Sequence, residues 1–147
     1  MDRFMKEAIV QAQLGIRSND GGPFGCVIVK DGVMVGKGHN EVLRQKDPTC
    51  HGEIMAIRSA CRSLGTYDLT GCQLYSTAQP CPMCAGAILW ANISQVFYGC
   101  DITDTESIGF RDKQFYEQPD TPGTQICREQ CLEVFEEYKA LGNKKEY

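Results

Sequence analysis

The chain has 147 residues, 42% hydrophobic and 23% charged, with a formal net charge of −4, which suits one folded domain with enough apolar mass for a core. No apolar run approaches the roughly 18 residues of a membrane span, and the charged amphipathic opening MDRFMKEAIVQAQLGIRSND does not read as a signal peptide, so a soluble, cytoplasmic protein is expected. The acidic balance leaves no basic surplus for a polynucleotide, which speaks against nucleic acid as a partner and for a small-molecule substrate.

Phe4, Met5, Ala8, Ile9 and Ala12 recur at helical spacing, which predicts a first helix over residues 2–16 that Gly15 would end. SNDGGP breaks it. FGCVIVK and VMVGKGH then flank Asp31-Gly32, a strong tight-turn signal, and predict an antiparallel hairpin. After the loop NEVLRQKDPTC, the spacing of Ile54, Met55, Ile57, Ala60, Cys61 and Leu64 predicts a helix over 51–64, stopped by Gly65. CQLYST reads as a third strand. Pro82 suits the first turn of a helix PMCAGAILWA, where its missing N–H has no intrahelical partner. QVFYGC is a fourth strand, residues 101–123 are polar and read as irregular, and TQICREQCLEVFEEYKALG places Ile126, Cys127, Cys131, Val134, Phe135 and Tyr138 on one face of a last helix. The order α-β-β-α-β-α-β predicts an α/β fold of three layers, α/β/α, with a mixed sheet between helices. One domain over 1–147 is expected.

Nine cysteines are many, but they are scattered and odd in number. In a reducing compartment most would be small buried hydrophobes, and only those at ligand spacing suggest a metal. His51, Cys81 and Cys84, in CHGE and QPCPMC, have that spacing. Zinc binds imidazole and thiolate, and a catalytic zinc keeps three protein ligands with the fourth position left to water or hydroxide. Two thiolates neutralise the ion and weaken its effect on that water, so a nearby proton acceptor is needed. Glu53, two residues after His51 and diverging from it, is the candidate. The competing arrangement is a closed site that adds Cys50 as a fourth ligand and makes the chain a zinc-stabilised, non-enzymatic binding module, which would leave Glu53 idle. A redox Cys-x-x-Cys would ignore both His51 and Glu53.

The pattern H-x-E followed by P-C-x-x-C is a signature of zinc nucleobase deaminases. HGE with PCPMCAGAI resembles the cytidine-deaminase superfamily over nearly the whole chain. GGPFG, DPT before the histidine, CPMCAGAILWA, GF with the acid Asp112, and the tail NKKEY are similar to the small bacterial guanine deaminases. That resemblance implies a five-stranded sheet with helices on both faces, one Zn2+ per subunit and a homodimer. It implies hydrolysis of guanine to xanthine with release of ammonia. By the same resemblance Asn40 hydrogen-bonds the purine, Phe24 and Trp90 shape the ring slot, Asp112 contacts the reacting end, and Tyr147 reaches a site. The C-terminal segment, about 124–147, would be exchanged between subunits.

On the residues alone, Phe24 and Trp90 are equally packing residues, Asn40 a turn residue, Asp112 a solvated loop acid and Tyr147 a frayed end. GGPFG lacks the lysine of a phosphate loop and reads as a tight turn. Gly52 and Gln79 stand where many relatives carry Ala and Glu. With GHN, they also resemble single-domain cytosine deaminases, so cytosine or another amino-heterocycle stays open as substrate. A tRNA adenosine deaminase shares much of the core.

Overall fold

The computed structural model describes residues 1–117, 123–143 and 145–147. They fall into two compact units, Met1–Glu117 and Gln118–Tyr147. In the first, helix α1 (Arg3–Arg17) starts where the Asp2 carboxylate accepts the backbone N–H of Phe4 and Met5, a side-chain cap on otherwise unpaired donors. Strands β1 (Gly25–Lys30) and β2 (Val33–His39) form the expected hairpin, with Asp31 at φ 50° and Gly32 at φ 76° supplying the left-handed turn. A short helix α2 (Val42–Gln45) and the longer α3 (Gly52–Leu64) follow, then β3 (Cys72–Ala78), α4 (Pro82–Trp90) and β4 (Gln95–Cys100). Helices α5 (Ile102–Ser107) and α6 (Asp112–Tyr116) close the unit.

The sheet order is β2-β1-β3-β4, antiparallel except for the β3–β4 pair, whose parallel run is spanned by α4 as a crossover. Helix α1 lies on one face so closely that a Cβ at Gly25 would stand 2.1 Å from the Ala8 carbonyl oxygen. Phe4 of α1 meets Tyr75, which stacks on Phe97, so aromatic side chains from α1, β3 and β4 cover that face. On the other face Cys26, Ile28 and Leu74 pack with Ala56 and Ala60 of α3 and Ile88 of α4 into the main core. Gly36 and Gly38 of β2 let α3 come close as well, because a Cβ on either would lie 2.6–2.7 Å from Met55, Ala56 or Ala60. The α/β/α layering read from the sequence is therefore present.

In the first unit the details differ in four places. Among the described residues the sheet has four strands, not the five implied by resemblance. After β4 the chain turns at Asp101, whose carboxylate and that of Asp104 cap each other's backbone and launch α5 instead of another strand. The same capping box explains why part of 101–123, read as irregular, is helical. Helix α1 runs through Gly15, where the absent side chain makes room for the His39 ring; a Cβ there would come within 2.7 Å of it. Residues 42–45, read as loop, make one helical turn.

The second unit holds α7 (Arg128–Lys139), shorter than expected, with Val134, Phe135 and Tyr138 exposed along it. The Tyr138 hydroxyl donates to the Lys145 carbonyl and folds the tail against its helix. The tail motif NKKEY lies partly outside the described residues, at position 144.

Candidate active site

His51 and Cys81 are the N-cap residues of α3 and α4, and Cys84 and Glu53 lie within the first turns of these helices. Both helices thus aim the positive end of their backbone dipole at one place, which favours thiolates and carboxylates there. Pro82 at the first helical position presets the turn that brings Cys84 round to Cys81. Each sulfur lies 3.6 Å from His51 Nδ1. Zinc bonds of roughly 2.3 Å to sulfur and 2.0 Å to nitrogen, meeting at a tetrahedral angle, separate the outer atoms by about 3.5 Å, so the three side chains fit one zinc ion.

The two thiols shift in opposite directions. Cys81 is lowered to about 4, mainly by its hydrogen bond with Cys84, with His51 also lowering it. Cys84 is pushed far up by its bond to that thiolate and by burial. With one thiol lowered and the other raised, the pair favours the form that keeps one shared proton, which a metal ion would displace. His51 is raised, chiefly by its hydrogen bond with Cys81. Cys50 does not join them. Its sulfur turns away to lie 4.0 Å from Arg58 Nη1, leaving a three-ligand set among the described residues and no closed four-ligand site.

Glu53 is 5% exposed, and burial raises its pKa. A carboxylate raised in this way holds a proton more readily than an exposed one, which suits taking a proton and releasing it again. Its Oε1 accepts a hydrogen bond from the Ser76 hydroxyl at 3.3 Å. Asp112, at the start of α6, is half-buried and raised by burial and by the Cys81 charge, so it lies within electrostatic reach of the sulfur cluster.

Phe24 and Asn40 are joined through the backbone, the Asn40 N–H donating to the Phe24 carbonyl at 2.9 Å. Asn40 is 4% exposed, and its Oδ1 accepts from the Val42 N–H, which leaves its amide hydrogens directed elsewhere. Gly52 abuts the same stretch. A Cβ there would stand 3.1 Å from the Phe24 carbonyl oxygen, so this glycine sets how closely α3 approaches the backbone of Phe24.

Trp90 is 70% exposed at the far end of α4, about 13 Å of helical rise from Cys81. Tyr147 belongs to the second unit and is 83% exposed. The first unit thus gathers His51, Cys81, Cys84, Glu53 and Asp112, with Phe24 and Asn40 against the start of α3.

Several site neighbours carry little or no signal of their role in the sequence. Phe110 packs edge-on against Phe24 at 4.9 Å between ring centroids, and the Tyr116 hydroxyl donates to the carbonyl of Pro80, the residue before Cys81. Gln79, a departure from the family pattern, anchors the chain after β4, because its Oε1 accepts the Ile102 N–H at the start of α5. An amide oxygen and a carboxylate oxygen accept that bond alike, so Gln79 by itself gives no reason to change the substrate assignment. Only the GF dipeptide hinted at Phe110.

The profile of the cytidine and deoxycytidylate deaminase zinc-binding region matches residues 1–100. Guanine deaminase of Bacillus subtilis (strain 168) is 42% identical over 153 residues, covering 99% of this chain and 98% of that protein. The X-ray structure of guanine deaminase from Bacillus subtilis superposes with a TM-score of 0.93, covering 100% of this chain and 99% of the other. A tRNA-specific adenosine deaminase of Aquifex aeolicus (strain VF5) is also 42% identical, but over 95 residues, 65% of this chain and 62% of that protein. The region matched by the family profile contains the histidine, the glutamate and both cysteines of the cluster, and on that ground the chain belongs to the zinc-binding cytidine and deoxycytidylate deaminase family, close to the guanine deaminases.

Proposed function

We propose that this chain hydrolyses guanine to xanthine and ammonia, with His51, Cys81 and Cys84 holding one zinc ion per subunit. The observation that carries this reading is the likeness to the Bacillus enzyme over the full length of both chains, where the match to the tRNA deaminase covers only 65% of this one. Zinc at this site supplies Lewis acidity to activate water. Glu53 takes a proton from the attacking water and delivers it to the departing amine, so that one buried carboxylate serves as base and then acid. Asn40 donates its amide hydrogens to an acceptor on the base, and Phe24, held by Phe110, forms a wall of the ring slot. Asp112 assists at the reacting end.

The protein works as a homodimer in the cytoplasm, with the segment from about residue 124 onward exchanged so that Tyr147 serves a partner's pocket. Exposed Trp90, Phe97 and Tyr98 on the first unit, and Val134 and Phe135 on the second, support an assembly that covers them. Nine free cysteines suit a reducing compartment, and no helix among the described residues is long and apolar enough to cross a membrane.

The test is ammonia release by zinc-loaded protein on guanine, cytosine, adenine and cytidine side by side, with Glu53→Ala as the blank. Guanine turnover is expected to dominate. Cytosine turnover would transfer the reading to the pyrimidine enzymes, and equal activity of Glu53→Ala would overturn the mechanism.

A further inference from the structure

Ser76 lies in the middle of β3, is fully buried, and carries a hydroxyl where the strand's alternation calls for an apolar side chain between Leu74 and Ala78. Its antiparallel partner is Cys26, whose other neighbour, Gly38, touches α3, so Ser76 faces that helix. The side chain it meets there is Glu53. Ser76 Oγ lies 3.3 Å from Glu53 Oε1 and 3.4 Å from the Ala78 nitrogen.

A hydroxyl has one hydrogen and two lone pairs. The Ala78 N–H occupies a lone pair, so the hydroxyl hydrogen is available to the carboxylate. Glutamate has three rotatable side-chain bonds, and a carboxylate that must meet an attacking water and then an amine on a bound ring gains from having one oxygen tied down. The tie comes from a central strand packed on both faces, which is a rigid support.

We infer that Ser76 is a positioning residue: it anchors Oε1 of Glu53 from beneath and leaves Oε2 turned to the reacting atoms. The inference rests on the deaminase reading for its kinetic consequence, but not for the geometry it predicts.

The experiment compares wild type, Ser76→Ala and Ser76→Thr for kcat, KM, zinc content, melting temperature and the Glu53 rotamer in crystals. Ser76→Ala is expected to lower kcat about tenfold, the effect of losing one hydrogen bond to a charged group. KM and zinc content should stay within about twofold. Ser76→Thr, which keeps the hydroxyl, should recover most of the turnover, whereas a purely structural role would leave no such dependence on the hydroxyl. The Glu53 carboxylate should rotate or lose order in Ser76→Ala. Unchanged kcat in a folded Ser76→Ala, or a loss shared with zinc content, overturns the inference. If the wild type itself turns over none of the bases, the functional reading fails, and the crystal comparison decides the anchor alone: an unmoved carboxylate overturns it.

Discussion

Two places in the first unit each bring three metal-capable side chains within 4.8 Å of one another: His51, Cys81 and Cys84 at the starts of α3 and α4, and Asp20, His39 and Glu41 between α1 and the end of β2. They differ in what neutralises them. At the second, Arg44 Nη1 stands 3.8 Å from Asp20 and 3.4 Å from Glu41, and His39 Nε2 is already bonded to Asp20 at 2.8 Å. A guanidinium fills the position a cation would take. At the first, among the described residues, no lysine or arginine pairs with the ligands, one thiol is already lowered to about 4, and the sulfur–nitrogen spacing matches tetrahedral zinc. Proximity of ligands is common, and charge balance together with geometry decides which cluster takes a metal. The second cluster is a brace: Asp20 also accepts the Leu43 and Arg44 N–H groups through its carbonyl, and so steadies the turn that carries Asn40.

The largest expected effect tests the first cluster directly. Cys81→Ala or Cys84→Ala should leave a folded chain without zinc and without turnover, read by metal analysis beside the ammonia assay; full zinc retention by either variant would break the contrast. Glu53→Ala should keep its zinc and lose turnover by about 10²- to 10⁴-fold.

Wild-type protein dialysed against excess zinc should hold one equivalent, because Arg44 excludes a second ion from the Asp20 cluster. Two equivalents would show the charge argument to be wrong. Zinc affinity should strengthen as pH rises. Cys84 and His51 are both raised and keep their protons to higher pH than usual, so binding must expel protons and is opposed by acid. Competition with a chelator between about pH 6 and 8 reads this, and a flat profile counts against the shared proton.

His39→Ala should cost about 1–2 kcal/mol by removing a largely buried hydrogen bond to Asp20, and lower the melting temperature without changing zinc content. The smallest effect is expected of Gly52→Ala. Its Cβ would press on the Phe24 carbonyl, shift that residue by a few tenths of an ångström, and raise KM by about threefold with kcat little changed.

The metal ligands and Glu53 were legible because each pair is close in sequence: three residues apart across a helix start for the cysteines, two apart for His51 and Glu53. Hydrophobic periodicity likewise located the long helices α1 and α3, because burial on one face leaves a local repeat, while the Asp31-Gly32 turn and short β-rich runs located the strands. Short α5 and α6 were missed, since a capping box between two aspartates can start a helix that has too few turns to show a repeat. Gln79 read as a departure and proved to be an anchor for α5, a bond to a residue 23 positions away.

The sequence by itself determined the fold class, the candidate zinc ligands His51, Cys81 and Cys84, with Cys50 open as a fourth, and the chemistry those residue types can perform, because helical and strand periods and the Cys-x-x-Cys step are local. Only the tertiary structure decided that Cys50 faces Arg58, that Asp20 and His39 brace the Asn40 turn, and that Ser76 reaches Glu53. Those contacts depend on strand register and on how closely helices settle on the sheet, which no local pattern encodes.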